Sequence, residues 1–285
     1  MNILVTGGAG FVGTNLIKRL LRDGHDVVSL DNYCTGFKLN HQDGCQYFDI
    51  DITDSFDLHS VLLNIDIDIV YHLAALARIQ PSIKNPTPAI KNNFDSTLNI
   101  LEWARENKKP VVFAGSSSFH HGLWGSPYAW SKHAGEQLCE LYNKVYGLQS
   151  VTCRFYNVYG PHQLESGTYA TVIGIFEKQY REGRALTVTG TGEQRRDFTH
   201  IDDIVDGLIR CGDNIETVNG EIFELGRGVN HSIIEITEMF GETEVEYIPP
   251  RPGEYDMTLA DYSKANEILD WKPTKNLPDY IEEVT

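Results

Sequence analysis

Tyr128 and Lys132 stand four residues apart, a spacing that on a helix puts both side chains on one face about a turn apart. A lysine ammonium beside a phenol favours the phenolate and brings tyrosine toward general-base duty near neutral pH. The plainer alternative is a partly exposed tyrosine stacked on a lysine stem. The run Gly115-Ser-Ser-Ser118 lies just upstream, at the end of an apolar strand. A hydroxyl there could serve the same substrate oxygen or merely cap the strand. A second constellation opens the chain. Gly7, Gly10 and Gly13 follow the apolar run Ile3-Leu-Val5 at three-residue spacing and lead into a helical period over residues 15–22. Gly7 would allow a tight turn, Gly10 the approach of backbone to a pyrophosphate, and Gly13 close packing of helix on strand. The next strand, 27–30, ends in Asp31, an acid placed to accept from ribose hydroxyls and repel a 2′-phosphate. Glycines also mark ordinary turns, but strand, helix and terminal acid all stand where a dinucleotide needs them. The pattern predicts an NAD site, with Asn32 beside Asp31 in it.

These groups need a frame to hold them. Residues 45–49 read as a third strand, 56–63 as a helix capped by Asp54 or Ser55, and 68–73 as a fourth strand ending at Ala74 and Ala75. A break at Pro81, Pro86 and Pro88 precedes a long helix over about 89–106. A fifth strand, 111–114, runs into the serines; a helix with Pro127 in its first turn covers about 126–145, and 149–155 is a sixth strand. Such alternation predicts an α/β fold with a doubly wound parallel Rossmann sheet. From about Tyr156 glycine and proline become frequent and strands short. That reads as a smaller C-terminal α/β substrate lobe over the carboxyl ends of the parallel strands. The expected division is an NAD-binding domain at 1–155 and a substrate lobe at 156–285, their segments interleaved.

Hydrophobic content of 41% and charged content of 22% are those of an ordinary globular chain. The balance of 24 basic to 40 acidic side chains, net −16, argues against nucleic acid and anionic membrane as partners. It does not argue against an anionic small ligand, which a few arginines in one cleft can hold. Cys34, Cys45, Cys139, Cys153 and Cys211 are odd in number, widely spaced and without a C-x-x-C pair, so reduced thiols and no zinc site are expected. The first strand begins at Met1, so no signal peptide is expected, and no apolar run approaches membrane-spanning length. The expectation is a soluble cytoplasmic protein. His120 and His121 invite a metal or acid–base role, yet adjacent histidines generally diverge and no third ligand is in view. They read as loop residues, and His200 as structural.

The glycine motif, Tyr128-x-x-x-Lys132 and the strand-end serines together resemble the extended short-chain dehydrogenase/reductase family. Arg154-Phe-Tyr-Asn-Val-Tyr-Gly-Pro161, the arginine-bearing segment 190–203, Arg251-Pro-Gly-Glu254 and Ala260-Asp-Tyr-Ser-Lys-Ala265 narrow the resemblance to the branch acting on nucleotide-diphosphate sugars. The resemblance implies Tyr128 as base and Lys132 as its partner on the nicotinamide ribose, with Ser117 as catalytic hydroxyl and Ser116 and Ser118 as alternatives. It places Phe11 and Val12 on the pyrophosphate and Asp51 and Ile52 at the adenine. Leu73, Ala74, Ala75, Asn93 and Tyr156 would line the cofactor. Asn157, Arg196 and Arg251 would grip the substrate diphosphate, arginine forks matching phosphate oxygens in pairs. Arg195 and Arg196 also read as a solvated pair. A homodimer is implied as well.

Within that branch, the 4,6-dehydratases carry an Asp-Glu pair beside the catalytic hydroxyl and the decarboxylases a Glu at the Ser118 position; here Ser118-Phe119 stands. Reductive epimerases pair a Cys with a His, and no Cys lies near Ser117. The simplest chemistry is left: oxidation and re-reduction of one sugar carbon, as in a UDP-glucose or UDP-N-acetylglucosamine 4-epimerase passing through a 4-keto sugar. The stretch between serine and tyrosine is much shorter than the family's, which predicts a more open site partly covered by Trp124 or the histidines. Thr258, where epimerases restricted to plain hexoses carry a bulky aromatic, leaves room for an N-acetyl group. Two other readings stay open: a different nucleotide-sugar reaction (dehydration, 3,5-epimerisation or net reduction), and a catalytically silent NAD-binding sensor. The intact Tyr128, Lys132 and Ser117 speak against the sensor.

Overall fold

The strands nearest the chain start are short Val, Ile and Leu runs buried on both faces, the pattern of a parallel sheet covered by helices. The computed structural model describes residues 1–285, the His121 side chain excepted. Its first half runs β1 (Asn2–Thr6), α1 (Phe11–Arg22), β2 (Asp26–Asp31), β3 (Cys45–Asp49), α2 (Ser55–Leu62), β4 (Ile69–His72), α3 (Ile79–Lys84), α4 (Pro86–Asn107), β5 (Val111–Ser116), α5 (Pro127–Tyr146) and β6 (Ser150–Phe155). There follow β7 (Val158–Tyr159), α6 (Val172–Arg181), β8 (Leu186–Thr189), β9 (Arg195–Asp197), β10 (Thr199–His200) and α7 (Ile201–Asp213). The chain ends with β11 (Ile222–Leu225), β12 (Asn230–Ser232), α8 (Ile233–Met239), β13 (Val245–Ile248), α9 (Ser263–Leu269) and α10 (Leu277–Val284).

Seven strands form one parallel sheet in the order β3-β2-β1-β4-β5-β6-β11. The order reverses between β1 and β4, and the crevice beyond their carboxyl ends is where ligands of such sheets bind. Alternation along β1 splits its side chains between two layers. Ile3 and Val5 pack with Leu16, Ile17, Ile204, Leu208 and Leu269, while Leu4 packs with Leu58, Ile100, Leu101 and Cys139. Helices α7 and α9 and strand β11 therefore belong to the sheet's own layers although they lie beyond residue 155. Around a third core of Tyr159, Phe176, Val188, Phe198, Ile236 and Leu277 stands the second lobe, with its pairs β8–β13, β9–β12 and β7–β10.

One local expectation differs from the structure. The prolines open helices rather than interrupt the chain. Pro86 begins α4, and Pro81 and Pro88 fall within first turns, where a missing N–H costs no helical bond. The segment after Trp271 is packed on the fold: Trp271 Nε1 donates to Asp203 O at 3.0 Å, and α10 buries Leu277 and Ile281. None of the described helices is long and apolar enough to cross a membrane.

The two lobes are tied at Asp197, which is fully buried. Its carboxylate accepts from the N–H groups of Arg227 (2.8 Å), Gly228 (2.8 Å) and Ala260 (3.0 Å). Burial raises its pKa, and these donors pull it back toward the charged form. Asp197→Ala would leave three buried donors unpaired and lower stability by about 3 kcal/mol or more. Urea unfolding at neutral pH measures this, with Asp197→Asn expected to cost less.

Candidate active site

Gly7 turns the chain out of β1 at φ +72°, and Gly10 N donates back to Gly7 O at 3.1 Å. A β-carbon on Gly13 would lie 2.2 Å from Gly7 O, so α1 can sit this close to β1 only with glycine there. Gly10, the N-cap of α1, makes no side-chain capping bond. The first-turn N–H groups are thereby left for an anion. At the far end the buried Asp31 carboxylate accepts from Ala9 N (2.9 Å) and Tyr33 N (2.8 Å), while burial raises its pKa. One cavity of about 520 Å³ joins these groups, and Phe11, Val12, Asn32, Asp51, Ile52, Leu73, Ala74 and Ala75 all line it. A glycine-bounded cradle and a buried acid at the end of β2 fit a dinucleotide's pyrophosphate and ribose.

Two expected cofactor residues lie elsewhere. On α4 it is Asn92 that lines the cavity. Asn93 is turned to the core, accepting from Leu76 N at 2.7 Å and donating to Ser131 Oγ at 2.9 Å, so it pins the loop after β4 onto α5. Tyr156 is buried behind Phe155 and donates to Glu224 Oε2 at 2.7 Å; of the two, only Phe155 lines the cavity.

The hydroxyl that meets the tyrosine is Ser116, not Ser117. Tyr128 Oη donates to Ser116 Oγ at 3.2 Å, and Ser116 Oγ also takes Ser118 N (3.2 Å) and Ser118 Oγ (2.9 Å). The reason is local. β5 ends at Ser116, which caps the short 3-10 turn Ser117–His121, so the last strand residue and not the first turn residue is directed at α5. Ser117 lines the same cavity, half-buried. Ser126 caps α5 by accepting from Ala129 N, with Pro127 next in the first turn, and this fixes where Tyr128 begins the helix. Burial raises the Tyr128 pKa, opposed by the Ser116 hydrogen bond and the Arg78 charge. Lys132, one turn on, is buried with its ammonium 4.8 Å from the Phe113 ring centroid. Burial lowers its pKa to about 8 against the opposing pull of Glu136. In the ligand-free protein the cation acting on the phenol is thus Arg78, a residue the motifs did not single out. Its position was readable: an arginine three residues past Ala75, in the loop leaving a parallel strand's carboxyl end.

At the substrate end, Asn157, Arg196, Arg251 and Thr258 share the cavity. Alternation on β9 separates the arginine pair: Arg195 forks onto Glu235 (2.7 and 2.9 Å), and Arg196 faces the cavity, its pKa lowered by burial. Asn157 Nδ2 donates to Asp197 O (3.0 Å) and Thr258 Oγ1 (3.2 Å), and Asp197 N donates to the same Thr258 hydroxyl at 2.9 Å. The expected cover is different. Trp124 is 86% exposed, and His120 is paired with Glu224. Neither lines the cavity, whose wall comes from residues 168–173, Glu254 and Tyr255. His121 lies outside the described side chains. Among the described residues, no group of three or more His, Cys, Asp or Glu side chains could hold a metal ion.

Fold and site together define an extended short-chain dehydrogenase/reductase. Residues 3–226 match the model of the NAD-dependent epimerase/dehydratase family, and the chain belongs to that family. The UDP-glucose 4-epimerase of Mycolicibacterium smegmatis is 33% identical over 305 residues, 99% of this chain and 96% of that one. The UDP-glucuronate 4-epimerase of Thermodesulfobacterium geofontis is 34% identical over 308 residues, 98% of this chain and 93% of that one. The structure of UDP-glucuronic acid 4-epimerase from Bacillus cereus, in complex with UDP-glucuronic acid and NAD, matches with a TM-score of 0.90 at 32% identity, covering 99% of this chain and 97% of that one. The protein is an NAD-dependent enzyme of nucleotide-sugar chemistry.

A lysine held near pH 8 in the fold and near 10.5 when unfolded makes the folded state bind fewer protons between those values. Its cost is full below about pH 8 and fades as pH rises toward 10.5, so this group makes stability rise with pH there. Lys132→Met is expected to stabilise the cofactor-free protein at pH 7 by about 3 kcal/mol, less at pH 10, and to weaken NAD binding. Thermal unfolding at the two pH values and NAD titration check both halves.

Proposed function

We propose that the protein is a UDP-sugar 4-epimerase that keeps its NAD bound. One observation carries this reading: the Tyr128–Ser116 hydroxyl pair shares one cavity with the cofactor cradle and the arginines, and the acid whose charge reaches the phenol, Glu136, lies outside that cavity and is paired with Arg154. The acidic residues that line the cavity are Asp31 and Asp51 in the cofactor part and Glu254, whose charge acts on Arg196. Ser118 is spent on Ser116, so nothing there would protonate or deprotonate a second sugar carbon.

On this reading Tyr128 Oη removes the proton from the sugar 4-hydroxyl and returns one to the 4-keto oxygen in the second half-reaction. When bound, the cofactor supplies a hydride acceptor and donor at its nicotinamide. Ser116 Oγ steadies the phenol and the sugar oxygen, with Ser117 Oγ beside the same oxygen. Lys132 holds the nicotinamide ribose, Asp31 and Asn32 the adenosine ribose, and the first turn of α1 the pyrophosphate. Arg196, Arg251 and Asn157 keep the diphosphate fixed while the sugar turns. Thr258, a small residue on the cavity wall, leaves room for an N-acetyl group, so UDP-glucose and UDP-N-acetylglucosamine are the first substrates to try. The reading extends to a cytosolic homodimer, for α5 leaves Leu141 and Val145 exposed one turn apart.

Incubation with each UDP-sugar and no added cofactor should yield the 4-epimer. Tyr128→Phe should lower kcat by about a thousandfold while NAD stays bound. Loss of substrate only when NADH is supplied would show a reductase instead. Ser116→Ala should lower kcat by about tenfold or more, and by more than Ser117→Ala does. A larger effect at Ser117 would return the catalytic role to that residue.

A further inference from the structure

Three arginines line the cavity beyond the cofactor cradle, and the diphosphate of a nucleotide sugar accounts for two of them, Arg196 and Arg251. The third, Arg78, lines the same cavity, and its charge acts on Tyr128. It is the N-cap residue of α3. Within α3, Ser82 Oγ accepts from Tyr128 N at 3.2 Å, and Gln80 Nε2 donates to Pro252 O, next to Arg251, at 2.6 Å. The first turn of α3 is thus pinned between the tyrosine's helix and the arginine's loop. The Arg78 charge accordingly acts on both Tyr128 and Arg251.

Among the described residues Arg78 makes one hydrogen bond: Nε donates to Tyr169 O at 2.9 Å. Among the described residues, no carboxylate forms an ion pair with Arg78 within 4.0 Å. A half-buried guanidinium with a free fork and no counter-charge is a site that an anion satisfies. A diphosphate held by Arg196 and Arg251 leaves Arg78 unmatched unless the sugar itself is charged.

Resting on the 4-epimerase reading, we infer that the preferred substrates are nucleotide-diphosphate hexuronates, and that Arg78 selects them by pairing with the C6 carboxylate. C6 hangs from C5, the ring carbon next to C4. A C6 carboxylate therefore lies one ring carbon from the 4-hydroxyl that meets Tyr128, the phenol on which the Arg78 charge acts. The guanidinium fork matches a carboxylate with two parallel hydrogen bonds. A neutral hydroxymethyl group satisfies neither the charge nor the second bond, and a site built for a polar group discriminates against an analogue lacking it.

The test is calorimetric titration of the NAD-loaded protein with UDP, UDP-glucose and UDP-glucuronate, repeated on Arg78→Gln and Arg78→Lys. UDP-glucuronate should bind at least about tenfold more tightly than UDP-glucose to the unaltered protein. That preference should fall below about threefold in Arg78→Gln and return in part in Arg78→Lys. UDP lacks the sugar and should bind all three proteins alike, which reports an intact fold. Equal affinity of the unaltered protein for the two sugars, or a preference that survives Arg78→Gln, overturns the inference. Titration reads binding alone, so failure of the 4-epimerase reading shows separately, as absence of the 4-epimer in the same samples.

Discussion

A β-carbon at position 13 would lie 2.2 Å from the Gly7 carbonyl oxygen, and the closeness of α1 to the end of β1 sets the geometry of the whole site. Because the helix begins this near the strand, its uncapped first turn opens onto the switch point between β1 and β4. Every other ligand-facing group is placed relative to that point. β2 brings Asp31 to one side, and β5 brings Ser116 to the other. The second lobe, held by Asp197, closes over the opening with Arg196 and Thr258. A bulkier residue at 13 would push α1 outward and separate its first-turn N–H groups from the Asp31 carboxylate.

Charge organises the site as firmly as shape does. A chain of net charge −16 keeps a buried Lys132 and the half-buried Arg78 and Arg196 in one cavity, each with its proton affinity lowered by burial. The ligand-free protein bears that cost, and an anionic ligand is the group that relieves it. Arg78 links the two ends of this group, for its charge acts on Tyr128 and on Arg251.

Much of this was legible in the sequence because it rests on local pattern. Continuous apolar runs ending in Gly7, Asp31, Ala75 and Ser116 announce parallel strands with functional carboxyl ends, and no tertiary information is needed to see them. What failed was side-chain direction. Asn93 and Tyr156 are each one residue from a cavity-lining position, and a helix or strand end turns adjacent residues opposite ways. The choice between Ser116 and Ser117 hangs on where β5 gives way to a 3-10 turn, a boundary that composition does not fix. Arg78 belongs to no motif, and it is the docking of α3 between Tyr128 and Pro252 that brings it into the cavity.

The junction of the lobes shows why binding and folding cannot be separated here. Thr258 lines the cavity and its hydroxyl accepts from Asn157 Nδ2 and Asp197 N, while the Asp197 carboxylate gathers three backbone N–H groups from the second half of the chain. Thr258 is therefore both part of the cavity wall and part of the tie between the lobes. An aromatic residue there would shrink the space beside the sugar. It would also strip two buried donors of their acceptor, at about 1–3 kcal/mol for each one left unpaired. A change of sugar preference at this position thus requires a compensating acceptor for Asp197 N, and the small residue is held in place by the fold as much as by the ligand.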